Sequence, residues 1–225
     1  MKAKFLTLFL GGLLLFSCEK QTPKIQELEG VAGTVEYRVK YISTDTTSLK
    51  SSIDSIVRVI DNSLSVYNEE SILSKINKGY VPTKADEHFK KVYTAAREIW
   101  KESGGMYDPT VGILLNVWGF GRESVQPISN LPTDKLLDSL KRYVGFDKVK
   151  IDADGYVKKE SQPIQIDLTS VVRGYTVDVI GDFLKKKGID NYVVKVAGEI
   201  KASGKNIIDR NVLDCTVFYE YRYSK

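Results

Sequence analysis

At 225 residues the chain is long enough for one or two folded domains, and its first twenty residues have to be set aside before any of that length is assigned to fold. It carries 33 Lys and Arg against 29 Asp and Glu, and removing Lys2 and Lys4 leaves 31 basic against 29 acidic residues, a balance that argues against a nucleic-acid partner. Cys18 and Cys215 are the two cysteines, so modification of the first excludes an internal disulfide and leaves the core to hold by burial alone.

Lys2 and Lys4 form a short basic region, residues 5–16 are an almost unbroken apolar run, and Leu15-Phe16-Ser17 sets a small residue immediately before Cys18. About twelve apolar residues fall short of the roughly 20 needed to span a bilayer as a helix. The pattern reads as a lipoprotein signal peptide over residues 1–17, lipidation of Cys18, and a polar tether over residues 18–30 that joins the acylated end to the fold.

Residues 34–42 alternate Val35, Tyr37, Val39 and Tyr41 against Glu36, Arg38 and Lys40, the period of a half-buried strand. Asp45-Thr46-Thr47 then offers caps for an amphipathic helix with Ile53, Ile56, Val57, Ile60 and Leu64 inward and Asp54, Arg58 and Asp61 outward. Ser71-x-x-Ser74 marks another helix start. A longer helix is predicted over residues 84–103, its stripe formed by Phe89, Val92, Tyr93, Ala96, Ile99 and Trp100 and its end by Ser103-Gly104-Gly105.

Pro132-Thr133-Asp134 opens a short helix carrying Leu136, Leu137 and Leu140. Residues 148–151 read as a strand that turns at Asp152-Ala153-Asp154-Gly155, where the two acids are turn residues rather than the start of an EF-hand, which needs a longer ligand series. A strand over 164–168, a helix over 170–187 with Val171, Tyr175, Val179, Phe183 and Leu184 inward, and a strand over 192–196 complete the pattern. The fold class is α+β (mixed α/β), in a single domain from about residue 31 onward.

Four stretches hold more glycine and fixed polar residues than packing requires. Ser103-Gly104-Gly105-Met106-Tyr107-Asp108-Pro109-Thr110-Val111-Gly112 runs on to Trp118-Gly119-Phe120-Gly121. Its paired glycines allow close backbone approach to a ligand, and Asp108-Pro109 is equally a plain helix start. Asp167-Leu168-Thr169-Ser170 runs from a strand end into a helix whose first turn contains Arg173. A cation there opposes the helix dipole unless an anion such as a diphosphate is present. The hydroxyls of Thr169 or Ser170 either cap that helix or ligate a magnesium ion riding on phosphates. Tyr67, just before the Ser71 helix start, can stack on a planar ring. The fourth stretch, residues 196–206, is a strand-turn-strand passage containing Gly198 and Gly204.

In this order, over residues 31–206, the stretches resemble the ApbE-like FAD:protein FMN transferases, bacterial lipoproteins that move FMN from FAD onto a threonine or serine hydroxyl. The Gly-Gly-Met-Tyr-Asp-Pro-Thr-Val-Gly run ending at Gly121 is the most specific element. Asp167-Leu168, Arg173-Gly174-Tyr175, Asp178 and Gly198-Glu199-Ile200 continue it. The resemblance implies FAD contacts from Ala32, Tyr67, Met106, Tyr107, Asp108, Asp167 and Arg173, a magnesium-ligand position at Ser170, and a catalytic role for Asp167 in orienting or deprotonating the incoming hydroxyl. It also implies a flavin-acceptor protein partner, such as a subunit of a membrane redox pump, and a place on the periplasmic side of the inner membrane.

Two departures are local. Val172-Arg173 stands where a small residue and lysine are frequent, and Ala197 replaces the first of two common glycines. A third concerns the stretch after Asn206. The family continues there with a His-Ile-x-Asp-Pro segment and a late Asp and Thr that complete its metal site, whereas residues 207–225 read as an atypical tail. A flavin-transferase domain incomplete at its C-terminus, from a truncated or frame-shifted reading, is therefore expected. The alternative activity is that of a catalytically inactive FAD-binding lipoprotein.

Overall fold

The computed structural model describes residues 22–121 and 131–205. Cys18, the leader, and everything from Asn206 lie outside the described residues, so the lipidation, signal-peptide and tail expectations do too.

A four-stranded antiparallel sheet in the order β1-β2-β5-β6 forms one layer. β1 (Lys24–Ala32) and β2 (Val35–Ser43) pair along their whole length, joined by the two-residue turn Gly33-Thr34. β5 (Tyr192–Val196) pairs with β2 and with β6 (Glu199–Ser203). Glu36, Arg38 and Lys40 face outward on β2 while Tyr37, Val39 and Tyr41 are buried, as the alternation requires, and Ile42 at the end of the strand is buried as well.

β1 corrects the expected tether over residues 18–30, because the sheet takes up the chain from Lys24. Its period is weak for a physical reason. This is an edge strand whose inward positions are Gln26, Leu28, Gly30 and Ala32, and only Ala32 is fully buried.

Helices α1 (Lys50–Leu64) and α6 (Thr169–Lys186) cover one face of this sheet, burying Ile53, Val57, Val177, Ile180 and Leu184 against Tyr37, Val39, Tyr192 and Val194. A second core lies beyond them. It gathers α1, α2 (Ile72–Lys78), α3 (Glu87–Glu102), the hairpin of β3 (Val149–Ile151) and β4 (Val157–Lys159), and the segment Ile164, Ile166 and Leu168 around Phe89 and Phe146. Each fully buried Ile, Leu or Phe side chain contributes roughly 1.5–3 kcal/mol by leaving water. α4 (Gly112–Val117) and α5 (Asp134–Lys141) lie outside it, and α5 buries none of its leucines.

The position of α6 between two cores explains why a single inward stripe misdescribes it. Val171, Tyr175 and Val179 pack toward the Phe89 core, whereas Thr176, Val177, Ile180, Gly181 and Leu184 are the fully buried set, and Phe183 is partly buried on the sheet side. Three further expectations change. Ile99 is 41% exposed. Asp61 is buried, not outward, because Thr34 and Asn68 satisfy its carboxylate. Asp45 makes a turn with the Thr47 N–H rather than capping α1, whose cap residue is Leu49.

Residues 164–168 are extended but belong to neither sheet, making only an isolated parallel bridge between Gln165 and Val111. Ile164, Ile166 and Leu168 alternate inward as in a strand, yet most of the hydrogen bonds come from side chains and loops.

Candidate active site

Two clefts share Val66. The larger, about 450 Å³, lies between the end of α2, α4 and residues 162–167, with Glu69, Asn77, Lys78, Asn116, Gln165 and Asp167 among its polar walls. The smaller, about 250 Å³, lies between the β1–β2 turn, the end of α1 and the start of α6, and is lined by Thr34, Asp61, Tyr67, Thr169, Arg173 and Ala197.

Asp167 stands where the extended segment meets α6. Its N–H donates to the Pro109 carbonyl at 2.7 Å, and its Oδ1 accepts the Thr169 N–H at 2.8 Å. Oδ2 has no hydrogen-bond donor among the described residues and remains available to the cleft. The cap position of α6 is Leu168, with no side-chain cap bond, so the Asp167 carboxylate serves the first turn in place of a Thr or Ser cap. Ser170 is exposed on that turn.

The Asp-Pro run packs directly behind Asp167. A Cβ on Gly112 would meet the Gln165 carbonyl oxygen at 2.8 Å, so only glycine lets α4 approach the extended segment this closely. Gly104 and Gly105 sit at φ 62° and 84°, where they end α3 by bonding back to Lys101 and Trp100.

Asp108 is a bracket in the scaffold. Oδ1 accepts the N–H and hydroxyl of Thr110 at 2.8 and 2.5 Å, and Oδ2 accepts the Trp100 indole N–H and the Phe146 N–H at 3.1 and 3.0 Å. Of the two readings the sequence left open, this commitment favours the structural one for the carboxylate.

The hydroxyl of Tyr107 is buried beside Ser170 and makes no hydrogen bond of ordinary geometry. Burial raises its pKa, the nearby charges of Asp167 and Asp108 add to that, and the Ser170 hydroxyl opposes it.

The structure therefore brings Tyr67 and Arg173 together in the smaller cleft and sets Asp167 in the larger, with Ser170 and Tyr107 at the same helix start. It does not bring Met106 or Ala32 to either cleft. Met106 is 94% exposed, and Ala32 is buried in the sheet core, where its side chain is closed to a ligand. Thr34, two residues beyond Ala32, reaches the cleft instead and hydrogen-bonds Asp61 through both N–H and hydroxyl.

Sequence reasoning missed Thr34, Asp61, Asn68 and Asn77. Asp61 gave a usable signal, standing between Ile60 and Leu64 on a face too apolar for an unpaired acid. The single histidine offers no base to either cleft, since His88 pairs with the Tyr175 hydroxyl at 2.8 Å between α3 and α6.

Residues 33–213 match the model of the ApbE family. The chain belongs to the ApbE family. The family match runs into the stretch from residue 207 that the sequence reading set apart as atypical.

Among relatives, the chain is 31% identical over 201 residues to the FAD:protein FMN transferase of Vibrio cholerae serotype O1, covering 86% of this chain and 59% of that protein. It is 34% identical over 206 residues to that of Haemophilus influenzae, with 87% and 59% covered. It thus spans 59% of the length of these curated ApbE relatives.

The flavin transferase ApbE of Vibrio cholerae superposes with a TM-score of 0.75 at 29% identity, over 82% of this chain and 61% of that one. The apo flavinyl transferase ApbE of Pseudomonas stutzeri gives 0.72 at 27% identity, over 81% and 62%. The mixed helix and sheet architecture, in one domain, is that of the ApbE flavin transferases.

Proposed function

We propose that this chain acts as an FAD:protein FMN transferase, moving FMN from FAD to a threonine or serine hydroxyl of a partner flavoprotein. The observation that carries the reading is the pair of neighbouring clefts that both reach Val66, with Asp167 lining one and Arg173 the other, at the start of α6. That shape suits a ligand with two bulky ends and a charged middle. Tyr67 offers a ring face for a flavin, and Arg173 offers a guanidinium for a diphosphate oxygen at a helix start that favours anions.

In the reaction the acceptor oxygen bonds the phosphorus of the FMN half, the bond to the bridging diphosphate oxygen breaks, and AMP leaves. The hydroxyl proton needs an acceptor, and Asp167 has an oxygen free for it at the cleft. Arg173 offsets charge on the phosphoryl oxygens as the bridge opens.

Magnesium would be held mainly by oxygens of the substrate's diphosphate, with Ser170 as the protein's oxygen ligand. When bound it neutralises charge on the transferred phosphoryl group. Among the described residues no cluster of three or more His, Cys, Asp or Glu side chains stands ready to hold a metal. The second reading is a lipoprotein that binds FAD without transferring FMN.

The reading also includes anchoring through an acylated Cys18 on the periplasmic side of the inner membrane and an acceptor such as a subunit of a membrane redox pump. The short apolar run before Ser17-Cys18 supports the anchor. Among the described residues no helix is long and apolar enough to cross a membrane.

The test is incubation with FAD, magnesium and a threonine-containing acceptor peptide, followed by mass analysis of the peptide. A covalent FMN adduct with release of AMP supports transfer. FAD binding without an adduct supports the second reading, and absence of binding overturns both.

A further inference from the structure

We propose that Asn77 is a positioning residue for Asp167, its side-chain amide standing in for a neighbouring strand along residues 164–168; the proposal rests on the flavin-transfer reading.

An extended segment outside a sheet must find partners for its backbone groups in loops and side chains. Here they can be traced one by one. The Ile166 N–H donates to Asn77 Oδ1 at 2.8 Å, and the Ile166 carbonyl accepts from Asn77 Nδ2 at 2.8 Å. Asn77 thus supplies the donor and the acceptor that an adjacent strand would supply. On the other flank Asp167 donates to Pro109, and Gln165 bridges Val111. The residue that carries the cleft carboxylate is held between the Asp-Pro run and one amide.

Asn77 is itself fixed. It lies near the C-terminal end of α2, where helix carbonyls lack intrahelical partners, and its own carbonyl accepts from Lys159 Nζ at 2.9 Å. The same ammonium donates to the carbonyls of Gln162 at 3.0 Å and Ile164 at 2.8 Å. Lys159 therefore ties the end of α2 to the start of the extended segment, while the Asn77 amide sets the next peptide along.

Of the close relatives of asparagine, aspartate keeps the acceptor and loses the donor, and alanine loses both. Neither can hold Ile166 on both of its backbone groups. The Asp167 carboxylate, one residue further, then loses its fixed place beside the cleft, although Ile166 and Leu168 still anchor the segment in the core.

The experiment combines Asn77→Ala and Asn77→Asp with Asp167→Asn, reading FAD affinity by flavin fluorescence in magnesium buffer and amide hydrogen exchange across residues 164–169. Either Asn77 variant is expected to weaken FAD binding about 10-fold, the scale typical of residues that orient a binding group. In the Asp167→Asn background the same change is expected to cost less than about 2-fold, because coupled residues are not additive. In Asn77→Ala, which loses the acceptor for the Ile166 N–H, exchange should quicken at Ile166 and Asp167 and stay unchanged in β5.

Equal losses in both backgrounds would mean that Asn77 touches the ligand itself or only supports the fold, and would overturn the proposal. So would an unchanged affinity on Asp167→Asn, or unchanged exchange at Ile166 and Asp167 in Asn77→Ala. If the unsubstituted chain fails to bind FAD, the flavin-transfer reading fails, and the exchange measurement still decides whether Asn77 fixes the Asp167 segment.

Discussion

The Asp108 carboxylate accepts the Trp100 indole N–H at 3.1 Å and, through the same oxygen, the Phe146 backbone N–H at 3.0 Å. Its other oxygen serves Thr110, whose hydroxyl in turn accepts the Gly145 N–H at 2.7 Å. One side chain thereby joins the end of α3, the Asp-Pro turn and the 3-10 helix Phe146–Lys148 behind the cleft. Asp108→Ala orphans these donors and is expected to cost about 2–4 kcal/mol in urea unfolding. Asp108→Asn should be nearly as costly, since whichever way the amide faces it turns an N–H₂ toward a donor. An Asn variant that unfolds at the same urea concentration as the parent would show that Asp108 serves a ligand instead.

Lys159 gives stability a pH dependence of known sign. Burial lowers its pKa from 10.5 to about 8. Between those values the unfolded chain still holds a proton that the folded chain has released, so more protons are bound in the unfolded state and stability rises with pH. The full interval would be worth about 3 kcal/mol, each pKa unit being worth about 1.4 kcal/mol. The rise is smaller than this, because solvent screens a partly exposed group and three carbonyls accept from its ammonium. Lys159→Met removes it. The stability difference between parent and variant should therefore shift toward the parent from pH 7.5 to pH 10, measured by urea unfolding at each pH. A difference that stays flat would show that the ammonium is not held away from water.

The two halves of the fold were unequally legible in the sequence. Helices α1 and α3 and strand β2 announce themselves by period, because each buries one clear face, whereas β5 is apolar on both faces and α6 is apolar toward two cores. β1 did not, since its inward face carries Gln26, Gly30 and Ala32. Residues 164–168 have the alternation of a strand without the sheet, because Asn77, 87 or more positions away from them in sequence, takes the pairing role. Of the residues that the sequence singled out, Tyr67, Asp167 and Arg173 line the two clefts. The side chains of Ala32 and Asp108 are taken up by packing and by hydrogen bonds that only the folded chain brings together, which residue type does not announce.

Ala197 occupies the first loop position of the β5–β6 turn at φ 51°, the only non-glycine with positive φ among the described residues. Gly33 fills the corresponding position of the β1–β2 turn at φ 64°. An L-residue there costs roughly 1 kcal/mol that glycine avoids. Ala197→Gly is therefore expected to stabilise the chain by about 0.5–1 kcal/mol, read as a higher unfolding midpoint. A destabilised variant would mean that the alanine methyl packs against the cleft wall more profitably than the backbone is strained.

Tyr67 tests the smaller cleft directly. It is 56% exposed, its N–H is held by Ser65 at 3.2 Å, and its ring forms part of the wall that also contains Arg173. Because its backbone is already anchored and its side chain is largely in water, truncation has little packing to remove, and Tyr67→Ala should change folding stability by less than about 0.5 kcal/mol. A ring stacked on an isoalloxazine contributes about 1 kcal/mol, so the same variant should weaken FAD binding about 5-fold. Tyr67→Phe keeps the ring face and should bind FAD as the parent does. Fluorescence titration of FAD against the three proteins, beside their urea midpoints, separates the roles. Equal affinities for parent and Tyr67→Ala would remove the flavin from this cleft, and a drop shared by Tyr67→Phe would make the hydroxyl, not the ring, the contact.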